Sequence, residues 1–288
     1  MNKEINTYKK KSQTKSILII VIIFALVIAI LLIVQKFAPK KPTIPTESER
    51  TYANLIEFEN SDYITEFIIE NFNEYPLDLI NLYLQDSEGY GDFAYNYIKH
   101  KNDYQPCNYK AEELSGGAPI LLQKDFRWGY EKVTNEYIAA GGCLPTSLTM
   151  AYIGLTGKSD LDPKIIAQMA ADNEFVGITG FTIKFIKWFC DKYNFSCIKY
   201  EYRFKEEFTM PPKEVLVDAL NKGHYFAASC RIGVFTSGGH AILITGYDEE
   251  NDCFRVNDPD NLERSQKTWT YEELAPELET IWDIGFES

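Results

Sequence analysis

Gly141-Gly142-Cys143-Leu144-Pro145-Thr146-Ser147-Leu148-Thr149-Met150 reads as a sharp, open turn running into a helix. The two glycines supply the turn. Pro145 suits the first helical position, where its missing N–H would have had no acceptor anyway. Cys143 then stands beside a helix N-terminus, where the macrodipole and free N–H groups favour a thiolate. A small buried hydrophobe ahead of a helix is the plainer account of the same cysteine, so its surroundings must decide between the two.

Working outward, a thiol nucleophile needs an imidazole, and the chain has three histidines. His100, in Lys-His-Lys-Asn-Asp (99–103), belongs to a solvated loop or helix end. His224 follows Lys222-Gly223 as an amphipathic residue at a strand start. His240 follows Gly238-Gly239 and opens the apolar strand Ala241-Ile242-Leu243-Ile244. Glycines there let a substrate or a facing loop approach the backbone closely. An imidazole paired to a thiol needs a third group to hold its tautomer. The next strand, Cys253–Asn257, runs into Asp258, and the polar turn at 247–252 makes the two strands a hairpin that can bring Asp258 near His240. Asn257 points to the opposite face if the strand continues, so only one of these neighbours can reach the ring. Gln123, ahead of the cysteine, is a candidate to aim an amide N–H at a developing oxyanion together with the Cys143 backbone N–H.

The elements around these residues are predicted as a short strand over Pro119–Gln123, then helices from Pro145, from Pro163 and over Thr182–Lys192. Strands follow over Phe195–Glu201, Tyr225–Arg231, Ala241–Tyr247 and Cys253–Asn257, with a helix over Val215–Asn221 between the first two. Helices first and an antiparallel sheet later is an α+β arrangement, a helical half facing a β half. Residues 51–105 carry helical periodicities, such as Ile64 with Phe67 and Ile68, and read as a small helical lead-in packed on the main domain without chemistry of its own.

Ile17–Val34 is an unbroken apolar run without charge or proline, and at 1.5 Å per residue it extends roughly 27 Å, enough for a hydrocarbon core. Lys9, Lys10, Lys11 and Lys15 precede it and place that end in the cytoplasm. An uncleaved anchor is favoured over a cleaved signal, because the run is long and Pro39 follows the nearest small residue, Ala38. The proline-rich stretch 38–50 reads as a stiff stalk. The organisation is then a cytoplasmic tail (1–16), a transmembrane anchor (17–37), a linker (38–50), the helical lead-in (51–115) and a main domain (116–288) held outside the cell membrane.

Residues 1–41 hold eight lysines and one glutamate, so of the net charge of −13 the part from 42 to 288 carries −20. Such an acidic domain repels phosphate backbones, and nucleic acid is excluded as a partner. No Cys-x-x-Cys occurs among the six cysteines, which removes zinc-ribbon and thioredoxin-type readings; no metal or cofactor is expected. Cys190 and Cys197 are close enough in sequence to pair, but apolar patterns around Cys190, Cys230 and Cys253 favour free thiols.

The local strings LLQKDFRWGYEK (121–132), GGCLPTS (141–147), MAYIGLTG (150–157), GGHAILITGYD (238–248) and VNDP (256–259), taken in this order, resemble the bacteriocin-processing type of papain-like cysteine peptidases, in its stand-alone, transporter-free branch. The resemblance runs from Pro119 to the end and reaches back to the lead-in around Tyr75-Pro76-Leu77, as in membrane-anchored members. It implies a papain-like fold, with Cys143 as nucleophile, His240 as general base and acid, Asp258 as orienter and Gln123 as oxyanion-hole donor. A glycine usual after the cysteine is Leu144 here, a side chain that could crowd the cleft. The activity so implied is hydrolysis of a peptide or isopeptide bond in a peptide or protein substrate. The same acyl-enzyme passed to an amine would make a transferase, and the fold without turnover would make a peptide-binding surface module.

Overall fold

In the computed structural model, the described residues are Leu26, Ile28, Ala29, 46–58, 62–177, 180–201 and 211–286. The chain divides into two units, Met1–Asn54 and Leu55–Ser288. The expected span 17–37 lies outside the described residues except for Leu26, Ile28 and Ala29. Among the described residues no helix is long and apolar enough to cross a membrane.

The second unit begins with the lead-in, which forms α1 (Tyr63–Glu70), α2 (Leu77–Gln85) and α3 (Ser87–His100). Each start has a local cause. Asp62 Oδ1 accepts the Ile64 and Thr65 N–H groups at 3.0 Å, Pro76 precedes α2, and Asp86 accepts the Gly89 N–H at 2.9 Å. Ile68, Leu79, Ile80, Tyr83 and Phe93 bury their side chains in one cluster with Tyr130, Tyr137 and Ala139. Phe93 and Tyr130 stack with ring centroids 4.1 Å apart, and the Tyr130 hydroxyl donates to the Phe93 carbonyl at 2.7 Å. The lead-in therefore shares a core with the segment that leads into Cys143.

The helical half continues with α4 (Cys143–Thr156), α5 (Pro163–Asp172), α6 (Lys184–Tyr193) and α7 (Lys213–Asn221). Helix α4 starts at Cys143, two residues before the expected Pro145, so the proline sits in the first turn, where its missing N–H costs nothing. The helix closes on Gly157 in the left-handed conformation. Leu144 through Ile153 are all buried, so α4 is surrounded on every side and lacks a polar face.

Six antiparallel strands, β1 (Ser196–Glu201), β2 (Tyr225–Cys230), β3 (His240–Asp248), β4 (Cys253–Asn257), β5 (Thr268–Trp269) and β6 (Leu278–Gly285), form the sheet in the order β1-β6-β2-β3-β4-β5. One face, with Ala227, Ala241, Leu243 and Trp282, packs on α4. The other, with Phe226, Ile242, Ile244 and Phe254, packs on α7 residues such as Leu216. Both faces are covered, which is why β3 opens as a continuous apolar run rather than an alternating one. Leu148 is fully buried between helix and sheet, and truncating it to alanine should cost about 2–5 kcal/mol.

The sequence expectations differ from this architecture at residues 119–122 and in two strands of the sheet. Residues 119–122 join no ladder: the Ala118 and Pro119 carbonyls accept from the Asn257 side chain at 3.1 and 2.8 Å, and the Gln123 N–H donates to the Pro259 carbonyl at 2.7 Å. Side chains and a strand end satisfy this backbone instead of a neighbouring strand. Strand β5 was not expected, and neither was strand β6, which lies between β1 and β2. It is buried on both faces except at Glu279, so it lacks the alternation that signals a half-exposed strand.

Candidate active site

Cys143 is positioned by a short helical turn, Ile138–Gly141, that ends on Gly142 and hands over directly to α4. A Cβ on Gly142 would stand 2.4 Å from the Ile138 carbonyl oxygen, so the close approach of the two helices requires glycine there. As the first residue of α4, Cys143 has a backbone N–H with no acceptor inside the helix. Its thiol is half-buried and free.

His240 is the first residue of β3, paired in register with Cys230 of β2. The Ser147 hydroxyl of α4 donates to the Ala241 carbonyl at 3.3 Å, which fixes the strand start against the nucleophile's helix. The imidazole is 6% exposed and its Nε2 lies 2.8 Å from Asp258 Oδ1. Cys143 lines the same cleft mouth as the ring and acts on its charge, and with Nε2 engaged by the carboxylate, Nδ1 is the nitrogen left to face the thiol. Burial works against a charge on His240, but the bond to Asp258 and then the Cys143 thiol outweigh it and push its pKa up to about 10.

Asp258 leaves the end of β4 and is completely buried. Burial alone would raise its pKa; the bond from His240, the backbone N–H of Asp260 and the Arg264 charge overcome that and hold it below the usual carboxylate range. The Asp260 N–H donates to Oδ1 at 2.9 Å and Arg264 Nε donates to Oδ2 at 2.6 Å. Ser265 accepts the Asp258 backbone N–H at 2.8 Å. Arg264 and Ser265 belong to a short helix, Leu262–Gln266, capped by Asn261. Sequence reasoning missed both, although the Asn-Leu-Glu-Arg cap signature directly after Asp258 was available to find them.

The structure thus brings Cys143, His240 and Asp258 together. Asn257 points away: its amide bonds the Ala118 and Pro119 carbonyls, so it ties down the incoming chain instead of the imidazole. Gln123 is 4% exposed and is tied to the turn ahead of Cys143. Its Nε2 donates to the Ala139 carbonyl at 2.8 Å and its Oε1 is buried without a partner among the described residues. One amide hydrogen therefore fixes the turn before the nucleophile and the other remains. Tyr90 of α3 also donates to the Ala139 carbonyl, at 3.4 Å, so the lead-in touches the same turn. Leu144 is 4% exposed and packs into the core, with only its edge on the cleft. The other two histidines are engaged elsewhere. His100 ends α3 with Nδ1 at 2.6 Å from Asp103, and His224 Nδ1 lies 2.7 Å from Asp283.

Cys143 and His240 open on a cleft of about 490 Å³. Phe181, Ile183 and Ile186 make an apolar wall, and Trp282 and Thr280 of β6 form another part. Gly239 also borders it, and added side chains at Gly238 or Gly239 would meet no atom within 4 Å, so the space ahead of the histidine is open. Cys230 lines the cleft too, but burial pushes its thiol well above the ordinary range and leaves it a poor nucleophile. Among the described residues no group of three or more His, Cys, Asp or Glu could hold a metal ion.

A half-buried thiol at a helix N-terminus, sharing a cleft with a carboxylate-held imidazole on an antiparallel sheet, defines a cysteine peptidase-like α+β domain. The Peptidase_C39 like family matches residues 118–284, and the chain belongs to that family. Two solved structures are similar. The peptidase domain of Streptococcus ComA, a bi-functional ABC transporter involved in a quorum-sensing pathway, is 16% identical with a TM-score of 0.36, covering 51% of this chain and 93% of that one. A Bacillus anthracis protein assigned as a C39-like peptidase is 13% identical with a TM-score of 0.37, covering 59% and 96%. No curated protein sequence matches the chain.

Proposed function

We propose that the domain is a thiol peptidase that hydrolyses a peptide or isopeptide bond through Cys143, His240 and Asp258, held at the outer face of the cell membrane by the apolar segment 17–37. The observation that carries this reading is the placement of His240, 2.8 Å from Asp258 and beside Cys143 at the mouth of the cleft. The thiolate attacks the substrate carbonyl, and the imidazolium gives its proton to the leaving amine. Neutral His240 then takes a proton from the water that releases the acyl-enzyme. The free Cys143 N–H and the second amide hydrogen of Gln123 are assigned to the oxyanion. The inward packing of Leu144 supports turnover over a silent binding module, because the residue that replaces the family's glycine leaves the thiol accessible.

The test is an unbiased peptide-library screen with the full chain, run beside Cys143→Ala and His240→Ala. The reading requires cleavage by the parent chain alone. Cleavage that persists in Cys143→Ala, or a parent chain that cuts nothing, overturns it.

A further inference from the structure

The cleft does not end at the nucleophile. Glu136 and Ala140 line it and also line a second cavity, of about 230 Å³, whose opposite wall is helix α2, with Asp78, Asn81 and Gln85. The lead-in lies outside the stretch matched by the family, 118–284, so this wall is an addition to the shared domain. The two cavities meet at Glu136. Its carboxylate rests against the backbone two residues ahead of Cys143, since a Cβ on Gly141 would stand 2.5 Å from Oε2.

Charge says what crosses that point. No lysine or arginine lines either cavity among the described residues. Asp78 is neutralised by an ion pair with Lys132. Glu136 and, across the cleft, Glu279 have no ion pair or side-chain hydrogen bond among the described residues. A solvated surface charge is the simple alternative for a glutamate. An exposed carboxylate that lines both cavities, one of which contains the nucleophile, is however placed to meet whatever lies in both.

We propose that a substrate chain runs from Cys143 over Glu136 into the cavity walled by the lead-in helix α2, and that Glu136 selects a lysine or arginine at the crossing. The proposal rests on the peptidase reading of the cleft and names its substrate class, a basic peptide. The net charge of −20 on residues 42–288 works in the same direction by drawing cationic chains toward the domain.

The full chain carrying Cys143→Ala, which binds without cutting, is probed with immobilised peptides in pairs that differ by one lysine against methionine. The same array is repeated with Glu136→Gln and Glu136→Lys added. Retention of the lysine member should exceed its partner by roughly two- to fivefold at one fixed position. The ratio should fall toward one in Glu136→Gln, and Glu136→Lys should invert it in favour of glutamate. Gln85→Lys, on the far wall, should weaken retention of long basic peptides more than of short ones. Equal retention of the pairs, a lysine preference that survives Glu136→Gln, or indifference to Gln85→Lys overturns the proposal. The two readings separate when the parent chain is given the retained peptides. Selective binding without cleavage leaves the groove standing and removes the peptidase; cleavage without a basic preference does the reverse.

Discussion

Replacing Asp258 with alanine removes one acceptor from three donors at once. His240 Nε2 at 2.8 Å, the Asp260 N–H at 2.9 Å and Arg264 Nε at 2.6 Å all lose their partner. Arg264 is 22% exposed and can turn to water or to Asp260, whose carboxylate is already 3.7 Å away. His240, 6% exposed, has no such exit, and its answer is to release the proton. The net loss of stability should be about 2–4 kcal/mol, the usual range for stripping a buried donor of its acceptor, which in a domain of this size lowers Tm by roughly 5–15 °C. The catalytic loss should be larger, up to about 10⁴ in kcat, because the ring loses both tautomer and charge. The imidazolium that is stable to about pH 10 should titrate at lower pH, so the alkaline limb of the activity profile moves down. Asp258→Asn keeps an acceptor and should fall between parent and alanine. Asn257→Ala is the control: it frees the Ala118 and Pro119 carbonyls and should lower Tm comparably, with the pH profile in place. The assays are thermal unfolding, kcat/KM against pH on a peptide from the library screen, and the pH dependence of Cys143 alkylation, which needs no substrate. An inactive Asn257→Ala beside an active Asp258→Ala, or an alkaline limb that stays near pH 10 in Asp258→Ala, would refute the assignment.

Thermal stability of the parent chain should itself depend on pH. His240 has a folded pKa raised from 6.5 to about 10, so its contribution is complete below pH 6.5 and is lost as pH climbs toward 10; a Tm that is flat across that window counts against the buried ion pair. Asp258, held low, contributes above its unfolded value of 3.8, and that contribution disappears only as pH falls through the depressed folded value. Gln123→Ala should lower kcat by roughly 10²–10³ with little change in KM, as expected for a lost oxyanion donor; a change confined to Tm would reduce Gln123 to a tether for the Ala139 turn. Protease added to intact protoplasts should degrade residues 42–288, and full protection would contradict the proposed topology.

Much of this site could be read from the chain because its chemistry is carried by local strings. The Gly-Gly-Cys turn, the Gly-Gly-His strand start and the Asn-Asp-Pro strand end each have a conformational reason that survives without tertiary context. Features that depend on distant partners were harder to read. Strand β6 could not be recognised by alternation, because both of its faces are buried except at Glu279. Residues 119–122 have the composition of a strand, yet Asn257, far along the chain, takes up the Ala118 and Pro119 carbonyls where the segment begins. The lead-in looked chemically silent because its relation to the site is spatial: Tyr90 reaches the Ala139 carbonyl, and α2 meets Glu136 across a cavity.

The central claim, that Cys143 is the reactive nucleophile, is tested most directly by mapping iodoacetamide modification of the folded full chain by mass spectrometry at short times. Cys190 and Cys230 are buried, and the competition lies among Cys107, Cys143, Cys197 and Cys253, which are half-exposed. Burial and the nearby Asp162 push Cys107 up to about 11, which slows it, whereas the neighbouring Cys190 holds Cys197 below its ordinary value and makes it the chief rival. Cys143 should be modified first, and His240→Ala should remove its advantage while leaving the other cysteines at their rates. Faster modification of any other cysteine, or a Cys143 rate indifferent to the loss of His240, would contradict the account.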